Sequence, residues 1–286
     1  MFTILILYEH GSKSTMLSER YDAIFGAWQD IWIREGWRVQ RHCVTGDART
    51  LDSAGTRVAS GTQTTCLAYA KSASPQTSAK RAAILLHGLW NSPGIMSGIA
   101  ERLAAEGWAT ANICYPSRRL PLAAHAQATS RVAAGLADDG ATDIALIGHS
   151  LGGLVARAAM AHAPKDGWNP TSLVLIGSPA RGSAIAGRFQ NLPGFNHIVG
   201  ACAPALTPAG AAPIPPPACP KTLVIAGGNG AHGYNPLLPG DDDGLIAVAE
   251  TRLPGHETAF TRVRALHKTL PLRPETIAAC CGFLGR

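Results

Sequence analysis

The chain has 286 residues, of which 46% are hydrophobic and 15% charged, and a formal net charge of +6. That length and apolar content predict an ordered globular protein with one large α/β domain, or one such domain and a small appendage, and exclude a disordered or fibrous chain. The positive charge is spread over single arginines and short pairs such as Arg118-Arg119, without a basic stripe, so no nucleic-acid partner is expected, while weak attraction to anionic lipid is compatible with it.

The apolar start, Met1 to Glu9, has no basic region before it and no small-residue cleavage site after it. It does not read as a signal peptide, and no run approaches the ~18 apolar residues of a membrane span. The seven cysteines are an odd number without framework spacing. Free thiols and a cytoplasmic location are the expectation, with Cys202 and Cys219 the pair that an oxidising compartment would join. Cys280-Cys281 read as small hydrophobes of a terminal helix.

Residues 1–78 read as a small N-terminal α+β extension. It comprises a strand over 3–8, a helix from about Leu17 to Glu35 ended by Gly36, and β-like runs over Trp37–Val44 and Ala48–Ser60 that form a hairpin. Ser72 to Ser78 read as a linker. Tyr21, Ile24, Phe25, Trp28, Ile31 and Trp32 share one face of the expected helix. That stripe is expected to pack on the body of the protein, with peripheral membrane contact or a second subunit as its other uses.

Residues 79–286 alternate short apolar runs with amphipathic segments, the rhythm of βαβ units. Strands are predicted over Ala82–Leu86, Ala109–Cys114, Asp143–Ile147, Leu173–Ile176, Leu223–Ala226 and Thr261–Ala265. Helices are predicted over Ile95–Ala105, Leu122–Ala137 and Leu151–Ala163. Residues 203–220, rich in alanine and proline, read as an irregular loop. No internal repeat or heptad bears on oligomeric state.

Gly148-His149-Ser150-Leu151-Gly152 stands where a predicted strand meets a predicted helix. In that context G-x-S-x-G is a sharp turn that forces strain on the middle residue and exposes its hydroxyl, with glycines two positions either side avoiding a clash. Ser150 is therefore the candidate nucleophile. The candidate oxyanion donors are the backbone N–H groups of Leu89, in the His87-Gly88-Leu89-Trp90 loop, and of Leu151. His87 itself reads as structural. For the acid, Asp243 is favoured over Asp242, because the glycine after it permits a tight turn. The rival reading, a calcium loop, has Pro239 at its first ligand place. For the base, His256 and His267 both follow the acid, and His267 stands directly after the last predicted strand. His125, His162, His197 and His232 read as exposed positions outside any metal-ligand spacing, and His149 as pointing away from the nucleophile.

These motifs, His87-Gly88-Leu89, Gly148 to Gly153, Gly177-Ser178-Pro179-Ala180-Arg181-Gly182-Ser183 and Asp243-Gly244 with a distant His267, resemble the α/β-hydrolase superfamily, in its bacterial lipase/esterase-like branch. The resemblance covers about residues 80–286 and leaves residues 1–78 unmatched; Ser178 stands where the branch carries threonine. It implies a mostly parallel central sheet with helices on both faces. It also implies a serine hydrolase acting on a small-molecule or lipid ester, without cofactor or metal. In that chemistry Ser150 attacks, His267 moves the proton, Asp243 orients His267, and Leu89 and Leu151 hold the oxyanion. An acyltransferase or amidase with the same three residues, or a noncatalytic lipid-binding module, are the alternatives. The segment 182–220, where caps insert in this superfamily, is short and proline-rich. It argues against a large helical cap and for an open site.

Overall fold

The computed structural model describes residues 26–285. The strand expected over 3–8, and the part of the expected helix that holds Tyr21, Ile24 and Phe25, lie outside them. Within them, the rest of that helix is corrected: Trp28–Arg34 is a strand, β1, paired antiparallel with β2 (Trp37–His42). Glu35 and Gly36 turn the chain with φ of 47° and 78°, the two-residue reversal whose positive dihedrals match the twist of a hairpin. Strand pairing was hidden because Ile31, Trp32 and Ile33 are all buried. A strand covered on both sides loses the two-residue alternation, and its apolar residues then fit a helical period as well.

β3 (Ala48–Leu51) and β4 (Arg57–Gly61) complete a four-stranded antiparallel sheet in the order β1-β2-β3-β4. Sequence reading left α1 (Gln63–Ala73) unassigned; it takes in the first residues of the expected linker. Thr62 caps it by accepting the Thr65 N–H at 3.2 Å, and Cys66 and Ala70 bury its inner face.

The second sheet has six strands, all parallel: β5 (Arg81–Leu86), β6 (Ala109–Ile113), β7 (Asp143–His149), β8 (Pro170–Ile176), β9 (Lys221–Gly228) and β10 (Ala259–Arg264). Each contains or overlaps a predicted strand. α2 (Ser97–Ala105), preceded by a 3-10 turn at Pro93–Met96, and α11 (Pro274–Leu284) cover one face; α3 (Leu122–Asp138) and α4 (Leu151–Met160) cover the other. Ala82, Ile84 and Leu86 of β5 thus pack with Val132 and Val155, whereas Ala83 and Leu85 pack with Ile99, Leu103 and Cys280. Burial on both faces is why the inner strands β5 and β7 read as apolar runs, whereas the edge strands β6 and β10 keep polar residues and are only partly buried. A short helix, α5 (Ala163–Asp166), follows α4.

The strand order is β6-β5-β7-β8-β9-β10. From β5 the chain moves outward to β6, then returns to the other side of β5 and proceeds away from it. The reversal opens a crevice at the carboxyl ends of β5 and β7, where open α/β sheets place their ligands.

The N-terminal sheet docks on this body beside β6. The Asp30 N–H donates to the Cys114 carbonyl at 3.0 Å, and the Asp30 carboxylate accepts the Cys114 N–H at 2.7 Å. Arg34 Nε donates to Asp139 at 2.8 Å, and the Trp32 ring packs against Gly135 of α3. Ile31 and Trp32, two members of the stripe expected to pack on the body, are buried.

Residues 203–220 were expected as an irregular loop, which holds for 212–220 and is corrected for 203–211. The segment after β8 holds four short helices: α6 (Ala184–Phe189), α7 (Phe195–Val199), α8 (Ala203–Leu206) and α9 (Pro208–Ala211). Pro204 and Pro208 stand in the first turns of α8 and α9, where a missing N–H costs nothing, so proline starts these helices and limits their length. α10 (Val248–Thr251) lies between β9 and β10. No helix among the described residues is long and apolar enough to cross a membrane.

Candidate active site

Ser150 joins β7 to α4 with φ 54° and ψ −121°, a strained conformation for a residue with a side chain. It persists because the elbow is packed too tightly for any other path. A Cβ on Gly152 would stand 2.2 Å from the Leu86 carbonyl oxygen, and one on Gly148 2.4 Å from the Gly153 backbone. The Ser150 N–H donates to the Ile176 carbonyl at 2.9 Å, and Ser178 Oγ donates to the Ser150 carbonyl at 2.7 Å. The second contact explains Ser178: at that place a hydroxyl, whether of serine or threonine, ties β8 to the elbow.

The structure brings Ser150, His267 and Asp243 together. Ser150 Oγ lies 2.9 Å from His267 Nε2, and His267 Nδ1 lies 2.7 Å from Asp243 Oδ2. A neutral ring with its proton on Nδ1 donates to the carboxylate and leaves Nε2 to accept from the hydroxyl. Asp243 Oδ1 accepts the N–H groups of Leu245 at 3.0 Å and Ile246 at 2.7 Å. The His267 N–H donates to the Asp243 carbonyl at 2.8 Å, joining the two loops. All three residues are buried, Asp243 almost completely. His256, the other candidate base, is exposed in the turn before β10.

Asp242 is directed elsewhere: its carboxylate accepts the N–H groups of Tyr234, Asn235 and Gly244. Asp241 accepts from Asn229 and Gly230 and pairs with Arg262 at 3.1 Å. The aspartate run is thus a set of loop braces, each carboxylate satisfied by backbone donors of a different turn. Among the described residues, no group of three or more His, Cys, Asp and Glu is arranged to hold a metal ion. Glu250 accepts the N–H groups of Ala184 at 2.6 Å and Ala247 at 2.9 Å, so that α6 is pinned to the Asp243 loop; burial raises its pKa.

The Leu89 loop passes close beside the elbow, since a Cβ on Gly88 would lie 3.0 Å from Ser150 Cβ. Leu151 is the first residue of α4, where helix N–H groups have no partner within the helix and carry partial positive charge. Leu89 lines the same cleft as Ser150, and Leu151 follows Ser150 directly in the chain.

One histidine placement corrects the sequence reading and another extends it. His149 lies beside the candidate base. Its ring lies 5.0 Å from that of His267, and its Nε2–H donates to the His267 carbonyl at 3.1 Å. His125 is not exposed but buried in α3, beside Tyr115. His87 stacks on Tyr115 at 4.2 Å, and its Nδ1–H donates to the Gly88 carbonyl at 2.9 Å. Desolvation lowers all three pKa values: His87 to about 4, His125 to about 3, and His149 well below the usual histidine range, where the neighbouring His267 adds to the effect.

A cleft of about 500 Å³ opens over Ser150 and His267. Ile185, Ala186, Phe195, Val199 and Leu206 of the short-helix segment form one apolar wall, and Leu89, Trp90, Leu245 and Ile246 contribute to the rest. Such an arrangement can activate a hydroxyl, hold an apolar chain beside it and offer backbone donors to a developing oxyanion.

Comparison with known proteins agrees with this fold. The PGAP1-like alpha/beta domain family matches residues 133–199, a segment that includes the elbow and α6. Among curated proteins no sequence matches. The lipase BlEst2 of Bacillus licheniformis, in its mature form, superposes with a TM-score of 0.57 at 16% identity, over 73% of this chain and 94% of that one. Its propeptide form gives 0.53 at 16% identity, over 69% of this chain and 48% of that one. The Pyrococcus furiosus esterase Pf2001 gives 0.49 at 15% identity, over 91% of this chain and 89% of that one. With six parallel strands in this order, helices on both faces and the serine turn after β7, the chain has the α/β-hydrolase fold.

Proposed function

We propose that the protein is a serine hydrolase that cleaves carboxylic esters through an acyl-enzyme. The observation that carries this reading is the unbroken hydrogen-bonded line from Ser150 through His267 to Asp243 at the floor of an apolar cleft. His267 Nε2 takes the Ser150 proton as Oγ bonds to the acyl carbon. Asp243 stabilises the imidazolium, and the N–H groups of Leu89 and Leu151 receive the oxyanion. The C–O bond then breaks as His267 hands its proton to the leaving oxygen, and water repeats the sequence to release the acid.

Labelling with a fluorophosphonate probe, together with turnover of p-nitrophenyl esters from acetate to palmitate, tests this. Wild type should label and turn over. Ser150→Ala should do neither while keeping its fold by circular dichroism. His267→Ala should lose about 10³-fold or more in kcat, whereas His256→Ala should lose little. Labelling that persists in Ser150→Ala, or a greater loss in His256→Ala than in His267→Ala, would reject the assignment.

A further inference from the structure

Among the described residues, Lys268 is the sole Lys, Arg, Asp or Glu side chain lining the cleft. It follows His267 in a 3-10 turn over His267–Leu272, and it is exposed. No carboxylate among the described residues forms an ion pair with it. The carboxylates of the neighbouring loop are committed to other donors: Asp243 to His267 and the N–H groups of Leu245 and Ile246, Glu250 to those of Ala184 and Ala247. A second cation stands by the same mouth. The Arg118 guanidinium lies 3.9 Å over the ring of Trp90, itself a lining residue, and Nε donates to the Ile198 carbonyl at 2.9 Å. The cleft therefore joins an apolar wall to a positive rim that no acidic side chain of its lining offsets.

The chemistry assigns those two regions to different halves of a substrate. An acyl chain belongs on the apolar wall built by Ile185, Ala186, Phe195, Val199 and Leu206. The leaving group must pass His267, because that ring returns the proton to the leaving atom as the acyl bond breaks. Lys268, the next residue in the chain, lines the same cleft. Resting on the hydrolase reading above, we infer that Lys268 selects acyl esters or thioesters whose leaving alcohol or thiol carries an anionic group, a phosphate or a carboxylate. The group stays charged throughout: Ser150 Oγ bonds to the acyl carbon, the C–O or C–S bond breaks, and the leaving atom takes the proton from His267. Two sources share this chemistry, the phosphate of a lipid headgroup and that of a soluble phosphorylated carrier thiol.

The test uses the full chain and a matched pair, p-nitrophenyl octanoate and its ring-carboxylated analogue. The ratio of kcat/KM for the charged over the neutral ester is measured in wild type, Lys268→Gln, Lys268→Arg and Lys268→Glu. Wild type should favour the charged ester. Lys268→Gln should lower the ratio about tenfold, chiefly through KM for the charged ester, Lys268→Arg should restore it, and Lys268→Glu should invert it. About 0.5 M salt should erase the wild-type preference, as it does for attraction between solvated charges. Octanoyl glycerol phosphate and octanoyl-coenzyme A then separate the sources, the one more impaired by Lys268→Gln identifying lipid headgroup or carrier. Hydrolysis of both nitrophenyl esters with the same ratio in all four proteins overturns the role of Lys268 and leaves the hydrolase reading standing. Absence of turnover on either ester, with no labelling of Ser150, rejects the hydrolase reading itself.

Discussion

His125 of α3 has neither ring nitrogen hydrogen-bonded among the described residues, and it is buried. Its pKa is lowered to about 3 by desolvation, so the folded protein holds it neutral while the unfolded chain protonates near the usual histidine value. Stability from this neutral form is complete above the unfolded pKa and is lost as pH falls from there toward the folded one. Between pH 7 and 5 the unfolded chain should gain about 2 kcal/mol from this single proton. His125→Phe keeps an aromatic ring against Tyr115 and removes the titration. Urea unfolding at the two pH values should therefore show a smaller acid loss in the variant by about that amount; parallel losses would mean that His125 is solvated or paired. The sequence could not disclose this residue, because one histidine in an alanine-rich helix carries no mark of which face it occupies. That Ser150 and His267 come within hydrogen-bond distance was legible at the same scale for the opposite reason. The elbow needs glycines at fixed offsets, and a base has to stand directly after a strand.

Between elements, legibility followed burial pattern. The inner parallel strands could be read because each holds an apolar run bounded by turns, whereas the apolar residues of β1, spaced between polar ones, fit a helical period as well as a strand. The contact that holds it makes a test. Trp32 is buried between the N-terminal sheet and α3, where its ring meets Gly135, and Arg34 reaches Asp139 at the end of that helix. Trp32→Ala should cost about 3–5 kcal/mol of unfolding free energy by chemical denaturation, through lost burial and the cavity left behind. Gly135→Val should destabilise from the other side by pressing a side chain into the same ring, since a Cβ there already lies 2.9 Å from it. Unchanged stability in both variants would show that the N-terminal sheet does not rest on the body as described. The short helices α6 to α9 went unread because prolines mark helix starts as well as helix ends, and a run of four to six residues is too short for a period to show.

For the molecule as a whole, on the proposed hydrolase reading, substrate range depends on how that segment of short helices is held. Glu250 fastens the Ala184 N–H, Arg118 the Ile198 carbonyl, and the buried Arg157 guanidinium the carbonyls of Ala180, Ile214 and Pro215. A wall tied at its start, middle and end to three different parts of the body is a fixed wall, unlike a lid, which needs a hinged element with few contacts. The cleft it bounds is finite, about 500 Å³. Each methylene that an acyl chain adds inside it should raise kcat/KM by up to about fourfold, the equivalent of ~0.8 kcal/mol, until the wall is covered. The rate should therefore climb from acetate to a maximum near eight carbons, about the chain length that such a cleft can hold, and fall for palmitate. It should also follow dissolved substrate smoothly through the solubility limit. A maximum at palmitate, with a jump in rate as the substrate forms an emulsion, would mean that α6 to α9 swing away at a lipid surface, and would transfer control of the site from a fixed wall to a moving one.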